Sequence, residues 1–266
     1  MNIWVINMEE YLSFAKDIAV YAGKVMKEYF YKDKNVEWKE DRTPVTLVDK
    51  QINDYLIEKS NEKYPTFSIL GEEKSDKKDS EYAWVCDPLD GTSSFTRGIP
   101  VSVFSLALVK DGLPIVGVVY DPFLDEMYSA IIGKGAYMND KKIHVNNLSY
   151  GVLGSTIDYC MWDNAKFDTL DIVRELRTNN KTCSMGSVAH ACMLVARGSV
   201  SGQIFPGSSH GHCDISASKL IVEEAGGKTS DFFGEDQRYD REINGFIASN
   251  GIIHDDIIKL TKKLYK

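Results

Sequence analysis

Cysteine is scarce and scattered in this chain: the five residues Cys86, Cys160, Cys183, Cys192 and Cys213 are odd in number and contain no Cys-x-x-Cys pair. That usage excludes a disulfide framework and a zinc ribbon, and it predicts a reducing, cytoplasmic compartment. Long apolar runs are also missing. The opening Met-Asn-Ile-Trp-Val-Ile has no basic segment before it, so neither a signal peptide nor a membrane span is expected. Positive charge is in deficit, with 31 Lys and Arg against 39 Asp and Glu for a formal net charge of −8, which argues against a dedicated nucleic-acid or anionic-membrane binder. Histidine offers no catalytic pattern. His144, His190, His210, His212 and His254 fall in no H-E-x-x-H or triad-like grouping, and His210, His212 and Cys213 lack the second pair that a zinc site needs. No internal repeat, low-complexity tract or long linker occurs.

What is present is periodicity. With 266 residues the chain buries enough surface to fold without staples. Asn7 and Glu10 have capping spacing, and Tyr11, Leu12, Ala15, Ile18, Ala19, Ala22, Val25, Met26 and Tyr29 follow at steps of three and four, predicting a helix to about Tyr31. A second helix is expected from Thr46 to Lys63, with Asp49 in its first turn. Phe67 to Leu70, Ala83 to Cys86, Val101 to Val109, Ile115 to Tyr120, Met127 to Ile132 and Ala136-Tyr137 read as strands with short connections, an antiparallel meander. Beyond residue 145 the pattern alternates: helices at Ala165–Arg177, Ser187–Arg197, Ile215–Ala225 and His254–Tyr265, and strands near residues 155–157, 203–205 and 246–248. Such alternation predicts a mainly parallel sheet covered by helices. The expected fold is therefore mixed α+β and α/β, a layered αβαβα sandwich, with halves at 1–145 and 146–266 and a ligand cleft between them.

One stretch concentrates polar chemistry, Trp84-Val85-Cys86-Asp87-Pro88-Leu89-Asp90-Gly91-Thr92. Proline is expected to stop the strand at Asp87, leaving two carboxylates at its end. Convergent carboxylates repel unless a cation lies between them, and Mg²⁺ suits one or two carboxylates combined with substrate phosphate. The residues from Gly91 onward look like a helix opening, where free N–H groups attract an anion. Asp-Pro and Asp-Gly are equally ordinary turn pairs, and Thr or Ser an ordinary cap.

The segment has company. Lys39 to Asp49, Gly71-Glu72-Glu73 and Asp214-Ile215-Ser216-Ala217 with Gly226-Gly227 complete four blocks across residues 39–227. Together they resemble the signature of the inositol monophosphatase superfamily, Mg²⁺-dependent and lithium-sensitive phosphomonoesterases. The resemblance implies metal ligands at Glu72, Asp87, Asp90 and Asp214 and at the Leu89 carbonyl. It implies a water-activating pair in Asp49 and Thr92, and phosphate or substrate contacts at Lys39, Asp90, Gly91, Thr92, Gly186, Ser187 and Val188. For Ser187 a helix-capping role explains the residue equally well, as does an N-cap for Asp214. Two or three Mg²⁺ ions, replaceable by Mn²⁺, and a homodimer are implied in the same way. An acidic protein binding a phosphate monoester needs such cations to invert the local field.

The implied substrate is a small phosphorylated metabolite, by default myo-inositol 1-phosphate, with histidinol phosphate, 3′-phosphoadenosine 5′-phosphate or fructose 1,6-bisphosphate as alternatives. A regulatory protein that retains the metal site is the implied reading of another class. Departures bear on this choice. Cys213 stands where many members carry tryptophan and Ser216 where they often carry alanine, Thr43 lacks the acidic group some relatives use for a third metal, and no acidic residue lies between Gly198 and Asp214, where animal inositol phosphatases place a glutamate on the sugar hydroxyls.

Overall fold

The computed structural model describes residues 3–32, 36–38, 44–161 and 165–265. Helix α1 (Ile3–Tyr29) turns its three- and four-spaced face, Ala15, Ile18, Ala22, Val25 and Met26, into the core. It runs back past Asn7, which is therefore not its cap, because nothing in Ile3–Ile6 breaks a helix. Strands β1 (Glu37–Trp38) and β2 (Pro44–Val45) form a small antiparallel pair. Lys39 lies outside the described residues. Helix α2 (Leu47–Lys63) starts from Thr46 in a capping box with Asp49.

Seven strands follow: β3 (Ser68–Gly71), β4 (Tyr82–Asp90), β5 (Val103–Lys110), β6 (Leu113–Asp121), β7 (Glu126–Ile131), β8 (Ala136–Met138) and β9 (Lys141–Lys142), with the short helix α3 (Thr92–Thr96) between β4 and β5. They form one sheet in sequence order, antiparallel except for the parallel pair β3 and β4. The expected meander is present. One expectation fails, since β4 does not stop at Asp87-Pro88 but continues to Asp90. Its register slips by one residue there, from Asp87 opposite Ser105 to Asp90 opposite Val103, a bulge that absorbs a proline with no N–H to donate.

The remaining elements are β10 (Thr156–Tyr159), α4 (Leu170–Leu176), β11 (Lys181–Cys183), α5 (Val188–Ala196), β12 (Gly202–Phe205), α6 (Gly211–Glu224), β13 (Lys228–Ser230), β14 (Phe246–Ser249) and α7 (His254–Leu264). The second sheet has the order β11-β10-β12-β14-β13. Its β10 contacts are parallel and its β14 contacts antiparallel, so it is evenly mixed where mainly parallel pairing was expected. The polar edge strands β11 and β13 are too short to carry a period-two signal. Helix α4 is shorter than expected because Phe167 leaves the helical path to stack on Phe232, with ring centroids 4.6 Å apart.

Alternation along the strands builds the layers. Trp84 and Cys86 face α1 and α2, while Ala83 and Val85 face α5 and α6. Those two helices also cover Phe246 and Ala248 of the second sheet, whose opposite face, Ile157, Ile204 and Ile247, packs on α4 and α7. The order is helices, sheet, helices, sheet, helices. Contact is close where α6 crosses β6: a Cβ on Gly117 would stand 3.1 Å from the Ala217 carbonyl oxygen.

Candidate active site

Three chain segments end at one corner. The parallel ladder of β3 and β4 extends one step further through Glu72 N–H to the Cys86 carbonyl at 3.1 Å, which delivers Glu72 beside Asp87. Helix α6 begins at Gly211, earlier than expected, so Asp214 is a first-turn residue and not the N-cap. Carboxylate oxygens of Glu72, Asp87 and Asp214 all lie within 4.8 Å of one another. Burial pushes the Asp87 carboxyl well above the ordinary carboxylate range, and Glu72, Asp214 and Asp90 push it further. An all-oxygen, negatively charged set that pays this electrostatic cost fits a hard divalent cation.

Asp90 is buried beyond the bulge, with its Oδ2 accepting from Ser187 Oγ and from the Ala189 N–H, both at 2.6 Å. Burial raises its pKa, and these donors, with the Val188 N–H, oppose the rise. Ser187 is also the N-cap of α5, accepting from the His190 N–H at 3.1 Å. The capping explanation of Ser187 thus holds, and the groups expected to face substrate, Ser187 Oγ and the backbone at Val188, are engaged with Asp90.

Gly91 connects this carboxylate to α3 at φ 87°, a left-handed conformation, and a Cβ there would sit 3.0 Å from Ser187 Cβ and 3.1 Å from the Gly186 carbonyl. Thr92 Oγ1 donates to the Leu89 carbonyl at 2.9 Å and stands 3.4 Å from Asp49 Oδ1, a long contact. Asp49 is anchored by its other oxygen, which accepts from Thr46 N–H at 2.7 Å and Thr46 Oγ1 at 2.6 Å. Its carboxyl is pushed up to about 7, chiefly by burial; the Thr46 hydroxyl opposes, and Glu72 and Glu73 add to the rise. A carboxyl near neutrality, fixed at one oxygen and pointed by the other at a hydroxyl, is arranged to exchange a proton.

The corner opens into a cavity of about 390 Å³. Glu72, Asp87, Leu89, Asp90, Gly91, Thr92, Gly186, Ser187, Val188 and Asp214 line it, and Asp49 stands behind Thr92. Sequence reasoning missed the rest of the wall, notably Arg97, Ser184, Ser208 and Ser209, because loop residues carry no periodicity. It also missed Asp158, a fully buried carboxylate on β10 that accepts from the Met185 N–H at 3.0 Å and so holds the loop leading to Gly186. A lone charged residue in the β-prone stretch Thr156-Ile157-Asp158-Tyr159 was the available signal.

Comparison with known proteins gives a consistent outcome. A model of the inositol monophosphatase family matches residues 7–265. The chain is 31% identical to an inositol monophosphatase of Mesembryanthemum crystallinum, covering 97% of this chain and 98% of the relative. It is 34% identical to a fructose-1,6-bisphosphatase/inositol-1-monophosphatase of Aquifex aeolicus, covering 97% of both. Among solved structures, an IMPase/NADP phosphatase complexed with Mg²⁺ and phosphate superposes with a TM-score of 0.83 at 25% identity, covering 96% of this chain and 95% of that one.

Proposed function

Because this chain belongs to the inositol monophosphatase family, whose members hydrolyse phosphate monoesters, we propose that its carboxylate corner is a Mg²⁺-dependent phosphatase centre for a small phosphorylated metabolite. The observation that carries this reading is the convergence of Glu72, Asp87 and Asp214 from three separate segments. These residues, with Asp90 and the Leu89 carbonyl, would hold two or three Mg²⁺ ions, with Mn²⁺ as a substitute. When bound, the ions neutralise the ester phosphate and acidify water.

The chain's own groups do the rest. Asp90 keeps one oxygen for the site because Ser187 and the start of α5 occupy the other. Thr92 and Asp49 orient a water and take up its proton, with Thr46 holding Asp49 in register. The Gly91 and Thr92 N–H groups face the phosphate oxygens, and Lys39 is carried over from the family signature as a further phosphate contact. Myo-inositol 1-phosphate is the first substrate to assay, followed by histidinol phosphate, 3′-phosphoadenosine 5′-phosphate and fructose 1,6-bisphosphate. Lithium sensitivity, a homodimer and a cytoplasmic location complete the proposal. No helix among the described residues is long and apolar enough to cross a membrane.

The test is phosphate release from a panel of inositol, sugar, nucleotide and amino-alcohol phosphates, with and without millimolar Mg²⁺ and with lithium as competitor. Release that depends on Mg²⁺ and disappears in Asp90→Asn is expected. Silence across the whole panel would sink the proposal.

A further inference from the structure

The carboxylate corner accounts for only part of the cavity wall. The rest includes Arg97, Ser184, Ser208, Ser209 and His210, and among the described lining residues it contains no acid beyond Glu72, Asp87, Asp90 and Asp214. Polyol hydroxyls are best held by carboxylate acceptors, whereas this wall presents hydroxyl, imidazole and guanidinium groups, which can donate. Arg97 is the decisive one. Arg174, Arg197, Arg238 and Arg241 are each ion-paired with a carboxylate. Two described arginines, Arg97 and Arg177, pair with no carboxylate among the described residues, and of these only Arg97 lines the cavity. Its Nη1 donates to the Ser93 carbonyl at 2.7 Å, which fixes the guanidinium at the end of α3 and leaves its remaining N–H groups for a ligand.

We propose that Arg97, supported by the serine and histidine donors of the same wall, forms a subsite for a second anionic group on the substrate, a carboxylate or a phosphate carried by the part that leaves. The inference rests on the phosphatase reading above and narrows its substrate class. Arg97 is six positions after Gly91, and at a helical rise of about 1.5 Å per residue their backbones are separated by roughly 9 Å along α3. That span suits a small metabolite whose two anions are a few bonds apart. A guanidinium is also the side chain best suited to bidentate recognition of either anion.

Matched substrate pairs test it: 2-phosphoglycerate against glycerol 2-phosphate for a carboxylate, and fructose 1,6-bisphosphate against fructose 1-phosphate for a phosphate. In the native enzyme with Mg²⁺, at least one anion-bearing member is expected to have kcat/KM about tenfold higher or more, mainly through KM, the scale of a charge-assisted hydrogen bond. The pair that shows the preference identifies the anion. Arg97→Gln should bring the ratio within a pair towards unity, and Arg97→Lys should retain part of it. Where the carboxylate pair shows the preference, glycerate should inhibit the native enzyme competitively and glycerol should not; where the phosphate pair shows it, fructose 6-phosphate should inhibit and fructose should not, and neither measurement needs a variant. Ratios near one in both pairs, or a preference undiminished in folded Arg97→Gln, would overturn the subsite while leaving the phosphatase reading intact. Failure to hydrolyse any of the four compounds while other phosphates of the panel are hydrolysed would overturn the subsite alone, and silence across the whole panel would remove both readings.

Discussion

Ser187 shows how one hydroxyl serves two purposes. It caps α5 through the His190 N–H and donates to Asp90, so its loss leaves a helix start and a buried carboxylate each short of a partner. Ser187→Ala is expected to cost about 1 kcal/mol of stability as a lost cap. It should also weaken Mg²⁺ binding roughly 10–100-fold, as removal of groups that orient metal ligands generally does. Urea unfolding and a Mg²⁺ titration of phosphate release separate the two effects. Thr92→Ala removes the hydroxyl between the Leu89 carbonyl and Asp49 while leaving a short side chain in its place. A fall in kcat of about 10²–10⁴-fold with a near-native melting temperature is expected from calorimetry and initial rates.

At the scale of elements, the site depends on how closely α6 lies on the first sheet, since that distance places Asp214 opposite Glu72 and Asp87. Gly117 sets it. Gly117→Val would push a branched side chain against the Ala217 backbone and should destabilise the protein by about 1–3 kcal/mol, with a rise in the Mg²⁺ concentration needed for activity as Asp214 moves away. A chemical-denaturation curve with unchanged slope and a shifted midpoint is the expected record. A native midpoint with native Mg²⁺ dependence would show that the α6 contact tolerates the added volume. The bulge in β4 works at the same scale: one extra residue between Asp87 and Asp90 turns both carboxylates into a site that a regular strand would split between its two faces.

For the whole molecule, buried acids make stability depend on pH and on cations together. Asp49 and Asp158 both have carboxyls pushed up to about 7, mainly by burial, and Asp87 is raised as well. The folded state therefore binds more protons than the unfolded state between about pH 4 and 7, and this contribution to stability is lost as pH rises through that window. His212 and His254, lowered to about 4 chiefly by burial, act in the opposite sense, but at pH 6.5 their unfolded-state imidazoles are already half deprotonated. From there upward the three raised carboxyls outweigh what remains of the two imidazoles. Metal-free protein should thus melt at least a few degrees lower at pH 8 than at pH 6.5, with a smaller drop in Asp158→Asn and a smaller one again in millimolar Mg²⁺. A melting temperature that stays level or climbs over this interval would contradict the assignment of these acids.

The same division runs through the molecule as a whole. Periodicity and turn chemistry along the chain determined α1, α2 and the strand meander, because a buried face repeats every 3.6 or 2 residues and leaves its mark locally. The four acidic blocks, read together, also carried the family and its reaction. Tertiary structure alone decided that Glu72, Asp87 and Asp214 share one volume, that Ser187 at the start of α5 clamps Asp90 at the end of β4, and that Arg97 faces the same cavity without a carboxylate partner among the described residues. Such meetings bring α5 and α6 to residues of β4 far earlier in the chain, 97 positions for Ser187 and Asp90, and their geometry is set by the packing of α5 and α6 between two sheets, a distance relation that no local spacing encodes.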